Sequence, residues 1–474
     1  MEWTRRDILW MTSVSAAGLT VTGCDELIEA IQNRPIRRNI ATLPTNDPIV
    51  EAYRDAVDQM RNLPASDPRN WNAQATIHQD FCPHGNWLFL PWHRSYLMRF
   101  ERICQELIGD SNWGLPYWNW CTSPSIPDHF WGAGNVLTHP RTATATSTVS
   151  SANVGGTVVD NMLNETVFEQ FASGSIPLAA SQRQRNFSGP LEGQAHDYIH
   201  VFTGGDMVTF MSPLDPLFWC HHNMVEACWV EWQFGRGNVN TNDSNWLDRE
   251  FTEFVDDQGN AIVEEVDIGL LYPVLSYQFD AFDIGFGPSD DRIDQQNPQD
   301  DEGQQEQEDE AGRTGDTSLD FVAEYASSAA AVATAESPAV LRIPVSLSDS
   351  ILPAVQQGAR VLLEVAVGEI LQWEDIHGRV FVNNPQAGRA TSTDDPGYVA
   401  SFGFFLHHPP NAADPVTLRF DATAALQATS TVDPDAVTIT VVVDVATGRT
   451  LVDAELNALE AVLRVSGTAE RTGG

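Results

Sequence analysis

The sequence predicts a multidomain chain in which a mainly helical four-helix bundle is followed by a β-sandwich. Three observations predict it. Between residues 46 and 283 apolar residues recur at helical spacing and frame two histidine-rich segments. An acidic stretch nearly free of hydrophobes follows, and beyond residue 336 the texture changes to alternating, β-branched runs separated by turn signals. Length agrees, because 474 residues exceed one ordinary core.

At the N-terminus, Thr4-Arg5-Arg6-Asp7, a short apolar run and Gly23 before Cys24 read as a twin-arginine signal over residues 1–23 that ends in a lipobox. The run from Ile8 to Thr22, about fifteen residues, is too short to span a bilayer comfortably. Cys24 would become a lipidated N-terminus, making the chain an exported periplasmic or cell-surface lipoprotein anchored by acyl chains; secretion without lipid is the alternative. Residues 24–45 read as an arginine-rich tether.

The region 46–283 opens with Ile49, Val50, Tyr53, Ala56, Val57 and Met60 at helical spacing behind Asp47, which predicts the first bundle helix. A second helix is expected from Trp92 to Ile108, stopped by Gly109. Leu115 to Trp120 reads as a packed aromatic turn, 138–156 as a long loop, and Asn161 to Phe171 as a short helix. The last helix is expected from Asp215 to Phe234, with Phe218, His222, Val225, Trp229 and Trp232 on one stripe. Residues 284–335 read as an acidic, protease-sensitive linker and 336–470 as the sandwich.

The formal net charge is −39, and every Lys or Arg in the chain is Arg. Such an acidic surface suits a very salty medium, where screening relieves self-repulsion, and it argues against nucleic acid as a partner. Halophily is therefore expected, with loss of fold at low salt as its signature.

Seven of the twelve histidines lie in the segments 76–102 and 192–233. His196 and His200 stand one helical turn apart, so both rings can leave one face toward one ion, with His222 as the third donor. His78, His84 and His93 form a matching set; the nine-residue gap places His84 in a loop or helix entry and His93 within a helix. Two sites of three imidazoles without carboxylates suit copper better than di-iron or di-manganese. His129, His139, His377, His407 and His408 lack this context and read as surface or loop residues. Five cysteines remain after Cys24, so at least one has no intrachain partner, and the pairing of Cys104, Cys121, Cys220 and Cys228 stays open.

The ordered set His78-x3-Cys82-x-His84, Trp92-His93-Arg94, His196-x3-His200 and Asp215-Pro-Leu-Phe-Trp before His221-His222 resembles the type-3 dicopper family of tyrosinases, catechol oxidases and molluscan haemocyanins. The resemblance runs from about Asn46 to Asp283, where YPVLSY resembles the family's closing tyrosine stretch. It implies one copper on His78, His84 and His93 and a second on His196, His200 and His222, with dioxygen bound between them as peroxide. It also implies a thioether from Cys82 to His84, and roles for Asp215 and His221 in orienting ligands. Asp215 equally reads as a helix cap.

Glu192 matches a glutamate that holds a water near the second copper in plant-type relatives. Asp197 stands where monophenol-hydroxylating relatives often carry Asn; with Glu192 it would share a proton, which argues against tyrosine hydroxylation. A solvent-facing Asp197 without a catalytic part is the other reading. Phe210 is the expected gate above the second copper, on a loop one residue shorter than the plant pattern.

The runs GRVFVNNP and GYVASFGFF resemble more loosely the C-terminal domain of plant-type polyphenol oxidases, which covers the copper site until an activating protease removes it. The expected activity is oxidation of small phenolic substrates, catechols to o-quinones, with dioxygen. Monophenol or aminophenol oxidation and haemocyanin-like oxygen carriage are the alternatives.

Overall fold

The computed structural model describes residues 33–284 and, beyond them, 321–333, 339–346, 355, 359–370, 376–393, 395–403, 416–429, 436–445 and 454–466. The signal segment with Cys24, most of the acidic linker, and His407 and His408 lie outside the described residues. Among the described residues, no helix is long and apolar enough to cross a membrane.

Helix α1, Pro48–Asn62, starts where Asp47 accepts from the Ile49 amide with Pro48 in the first turn, and it buries Val50, Tyr53, Ala56, Val57 and Met60 as their spacing requires. Helix α2 is Trp71–Phe81, and α3 is Phe89–Ile108, closed by Gly109 at φ 70°. Helix α3 begins three residues before the expected Trp92. Pro91 sits in its first turn, where the missing amide hydrogen costs nothing, and Asn86 accepts from Leu88 N at 2.8 Å just ahead. The helix expected over 161–171 is two pieces, α4 at Gly156–Leu163 and a turn at Phe168–Phe171.

The segment bearing His196 and His200 is π-helical over Pro190–His196 and continues as α5, Asp197–Thr203. Helix α6, Leu217–Val230, carries the His-His pair and runs on as a π-turn over Glu231–Gly235. Phe100 and Trp219 stack with centroids 3.5 Å apart, locking α3 to α6.

The described part of the expected tether, from residue 33 on, is part of this helical core. Ile36–Arg37 pairs in parallel with Gln278–Phe279, and Arg37 is fully buried, bonding Glu101 at 2.9 Å and Asn223 at 2.9 Å and lying 3.5 Å over the Tyr277 ring. An arginine can sit there because its charge is paired and its face is stacked.

The C-terminal region contains eight described strands: β1 Phe321–Ala333, β2 Ala339–Ser346, β3 Val361–Ile370, β4 Ile376–Val382, β5 Tyr398–Gly403, β6 Val416–Asp421, β7 Ala436–Val445 and β8 Ala454–Ser466. They form two four-stranded antiparallel sheets, ordered β6-β3-β8-β1 and β2-β7-β4-β5. Inward residues of both sheets, among them Ile343, Leu363, Val380, Leu418 and Val441, share one core. Strand β1 lies inside the span expected as linker, because its Ala- and Ser-rich sequence has only two β-branched residues, Val322 and Val332.

This region grips the helical core beside the His196 helix. Ser188 N donates to Thr417 O at 3.0 Å, so the edge of β6 continues into the segment leading to Pro190. Arg419 lies 3.5 Å over the Phe187 ring, and Arg360 pairs with Glu165.

Candidate metal centre

Six histidines predicted as ligands converge in the core. His78 leaves α2, His84 sits in the loop after it and His93 leaves α3; their ring centroids are 5.3 to 5.7 Å apart. His196, His200 and His222 form a second triangle with centroids 4.4 to 5.4 Å apart. The triangles abut, with His93 and His222 stacked at 4.4 Å and His84 and His196 5.5 Å apart. Nε2 of His222 lies 3.3 Å from Nε2 of His196 and 3.2 Å from that of His200.

The opposite nitrogens explain why these edges face inward. Nδ1 of His78 donates to Phe210 O at 2.9 Å, His93 Nδ1 to Phe89 O at 2.8 Å and His200 Nδ1 to Met207 O at 2.5 Å. A ring that gives its Nδ1 proton to a carbonyl keeps Nε2 as a lone-pair donor. His93 Nε2 is buried without a hydrogen-bond partner among the described residues. Neutral imidazoles with inward lone pairs, and no carboxylate grouped with them among the described residues, fit two copper ions.

Burial holds His93 and His200 down to about 3, and His196 and His222 well below the usual imidazole range. The unfolded chain takes up protons on these rings near pH 6.5, whereas the folded metal-free protein resists until near 3. Stability of the metal-free protein is therefore full above pH 6.5 and falls as the pH drops, by up to about 1.4 kcal/mol per group per pH unit. Urea titrations at pH 7.5 and 5 are expected to show a clear loss at the lower pH; equal midpoints would contradict neutral buried rings.

His221 and His222 both offer nitrogens within 4.8 Å of those of His196 and His200, but only His222 also groups with His78 and His93. His221 lies 5.1 to 5.4 Å from His196, His200 and His222, stacked on His196. Cys82 is buried, with Sγ within 4.8 Å of ring nitrogens of His78 and His84; burial pushes its thiol well up. Asp215 caps α6 by accepting from Leu217 N at 2.9 Å and takes a two-pronged bond from Arg141, at 2.7 and 2.6 Å. Arg141 carries no local motif, so only the fold brings it there.

Three expectations change. Phe210, expected above the second copper, packs on the first triangle, stacked on His78 at 5.7 Å and edge-on to His84 at 5.3 Å. Its carbonyl's bond to His78 fixes that place. Glu192 and Asp197 are both buried. Glu192 accepts from Gly85 N at 2.6 Å and from Ser173 Oγ, tying the His84 loop to the His196 helix; burial pushes its carboxyl up to about 8, against those two bonds. Asp197 is buried, not solvent-facing, and its Oδ1 lies 2.8 Å from His196 Nδ1. His129 is 4% exposed, a core residue packed under the loop that Asn135 closes, not a surface one.

Comparison with known proteins agrees with this geometry. The model of the common central domain of tyrosinase matches residues 55–188 and 157–234. The chain is 30% identical over 278 residues to polyphenol oxidase II, chloroplastic, of Ipomoea batatas, covering 49% of this chain and 47% of the relative. It is 29% identical over 269 residues to the chloroplastic polyphenol oxidase of Malus domestica, covering 46% and 44%. The matches thus span a little under half the length of these relatives. Its fold is similar to that of latent apple tyrosinase (TM-score 0.65, 21% identity, 91% of this chain and 97% of the other). It is also similar to recombinantly expressed latent aurone synthase (TM-score 0.66, 22% identity, 92% and 90%).

Proposed function

We propose that the chain is a member of the tyrosinase family, whose central-domain model it matches over residues 55–188 and 157–234, and that it is an oxidase converting o-diphenols to o-quinones with dioxygen at two copper ions. The observation that carries this reading is the pair of adjoining imidazole triangles with inward Nε2 atoms. His78, His84 and His93 would hold one ion, and His196, His200 and His222 the other. When bound, the copper pair supplies two-electron exchange with dioxygen.

The remaining residues prepare the cavity. The backbone carbonyls of Phe89, Met207 and Phe210 fix the ring directions. The Phe210 ring walls the first triangle, so a flat phenol would approach from the side of His196 and His200. Glu192, its carboxyl pushed up to about 8 by burial, accepts from Gly85 N and so keeps the His84 loop seated. A Cys82–His84 thioether is supported by the sulfur's place beside the ring; finding the two residues unlinked by mass spectrometry of the copper-loaded protein would remove it.

The helical region is read as the dicopper bundle and the paired sheets as a sandwich that shields it. Strand β5 supports the shield, since its end at Gly403 lies against the main chain of Asp197 and Tyr198. Export as a lipoprotein on Cys24 and dependence on high salt rest on sequence alone; labelled-lipid incorporation and unfolding at low salt test them.

Oxygen uptake with catechol, tyrosine and 2-aminophenol, before and after linker proteolysis, tests the function. Turnover is expected with catechol foremost, and faster after cleavage. Reversible oxygen binding without turnover would make the chain a carrier, and equal rates before and after cleavage would remove the shielding.

A further inference from the structure

Three of the six ring systems present their outer nitrogen to a neutral acceptor, the backbone carbonyls of Phe210, Phe89 and Met207. His196 differs. Its Nδ1 lies 2.8 Å from Oδ1 of Asp197, a carboxylate whose side chain is 7% exposed. The two residues are sequence neighbours at the junction where the π-helical turn becomes α5, so the contact is short-range and built into the helix. Strand β5 closes the other side: a Cβ on Gly403 would stand 3.0 Å from the carbonyl carbon and oxygen of Asp197.

We propose that Asp197 is a positioning residue that holds His196 as the Nδ1–H tautomer and, through its negative charge, makes that ring the strongest donor of the second copper site. This rests on the reading that the two triangles hold copper. A carboxylate accepting from a metal-bound imidazole raises the basicity of the ring and fixes its plane. A carbonyl fixes the plane but adds no charge. The two sites are therefore unequal, the second favouring the more highly charged, cupric state.

Asp197→Asn and Asp197→Ala in the full-length protein, loaded with copper, test this. The asparagine keeps an acceptor oxygen without the charge, and the alanine removes both. The expected result is that one of the two ions is released to a chelator about 10- to 100-fold more readily, in the order alanine, asparagine, unaltered protein. The reduction midpoint of that ion is expected to move upward in Asp197→Asn while the other stays.

Unchanged release and midpoints in both variants would overturn the proposal, as would a change confined to the pH profile of phenol oxidation, since that would put the carboxylate on the substrate. An unaltered protein that binds fewer than two coppers would instead sink the reading of the site. Near-ultraviolet circular dichroism separates a misfolded variant from a weakened site.

Discussion

Replacing His222 with alanine is expected to leave one copper per chain and lower catechol oxidation by roughly a thousandfold or more, because loss of a metal removes several kcal/mol of barrier lowering. His222 is the ring on which the site turns. Its Nε2 meets those of His196 and His200, and its plane stacks on His93 of the first triangle. His221→Ala makes the contrast. That ring does not group with His78 and His93 as His222 does, so two coppers and most of the activity are expected to survive. Copper analysis beside oxygen uptake decides it, and the reverse order would assign the second ion to His221.

Glu226→Ala is expected to be the most damaging change outside the ligands, at about 3–5 kcal/mol, the cost of stranding one buried charge. Glu226 accepts from Arg94 Nε at 2.9 and 3.1 Å and from Tyr277 Oη at 2.6 Å, and Arg94 lies 3.4 Å over the Trp229 ring. Arg94 follows His93 on α3, and Glu226 is one turn beyond His222 on α6. The pair thus sets the separation of the helices that bear the facing ligands of the two triangles. Denaturant unfolding of Glu226→Ala and Glu226→Gln measures it, with the glutamine expected to retain part of the stability through its carbonyl oxygen. A loss under about 1 kcal/mol in the alanine variant would show the pair to be idle.

The grouping of His196 with His200, and of His84 with His93, could be read in advance because it is local: one helical turn for the first pair, loop against helix for the second. Helix α1 was legible for the same reason, its cap and apolar stripe lying within fifteen residues. What escaped is long-range. Arg37 looks like any residue of a charged tether, and only the pairing of Ile36–Arg37 with Gln278–Phe279 carries it to Glu101 and Tyr277. Arg141 reaches Asp215 across 74 positions. Phe210 was misplaced because the loop between His200 and Asp215 has no periodicity, and its place follows from one carbonyl bonding His78. The π-helical turn at Pro190–His196 follows no residue propensity, and it sets the direction of His196 and Asp197 alike.

Metal content of the fully loaded protein is the measurement closest to the centre of this account. Two coppers per chain are predicted, with both lost together with activity on chelation and both restored by copper. One copper per chain, or zinc taken up in its place with activity intact, would contradict it.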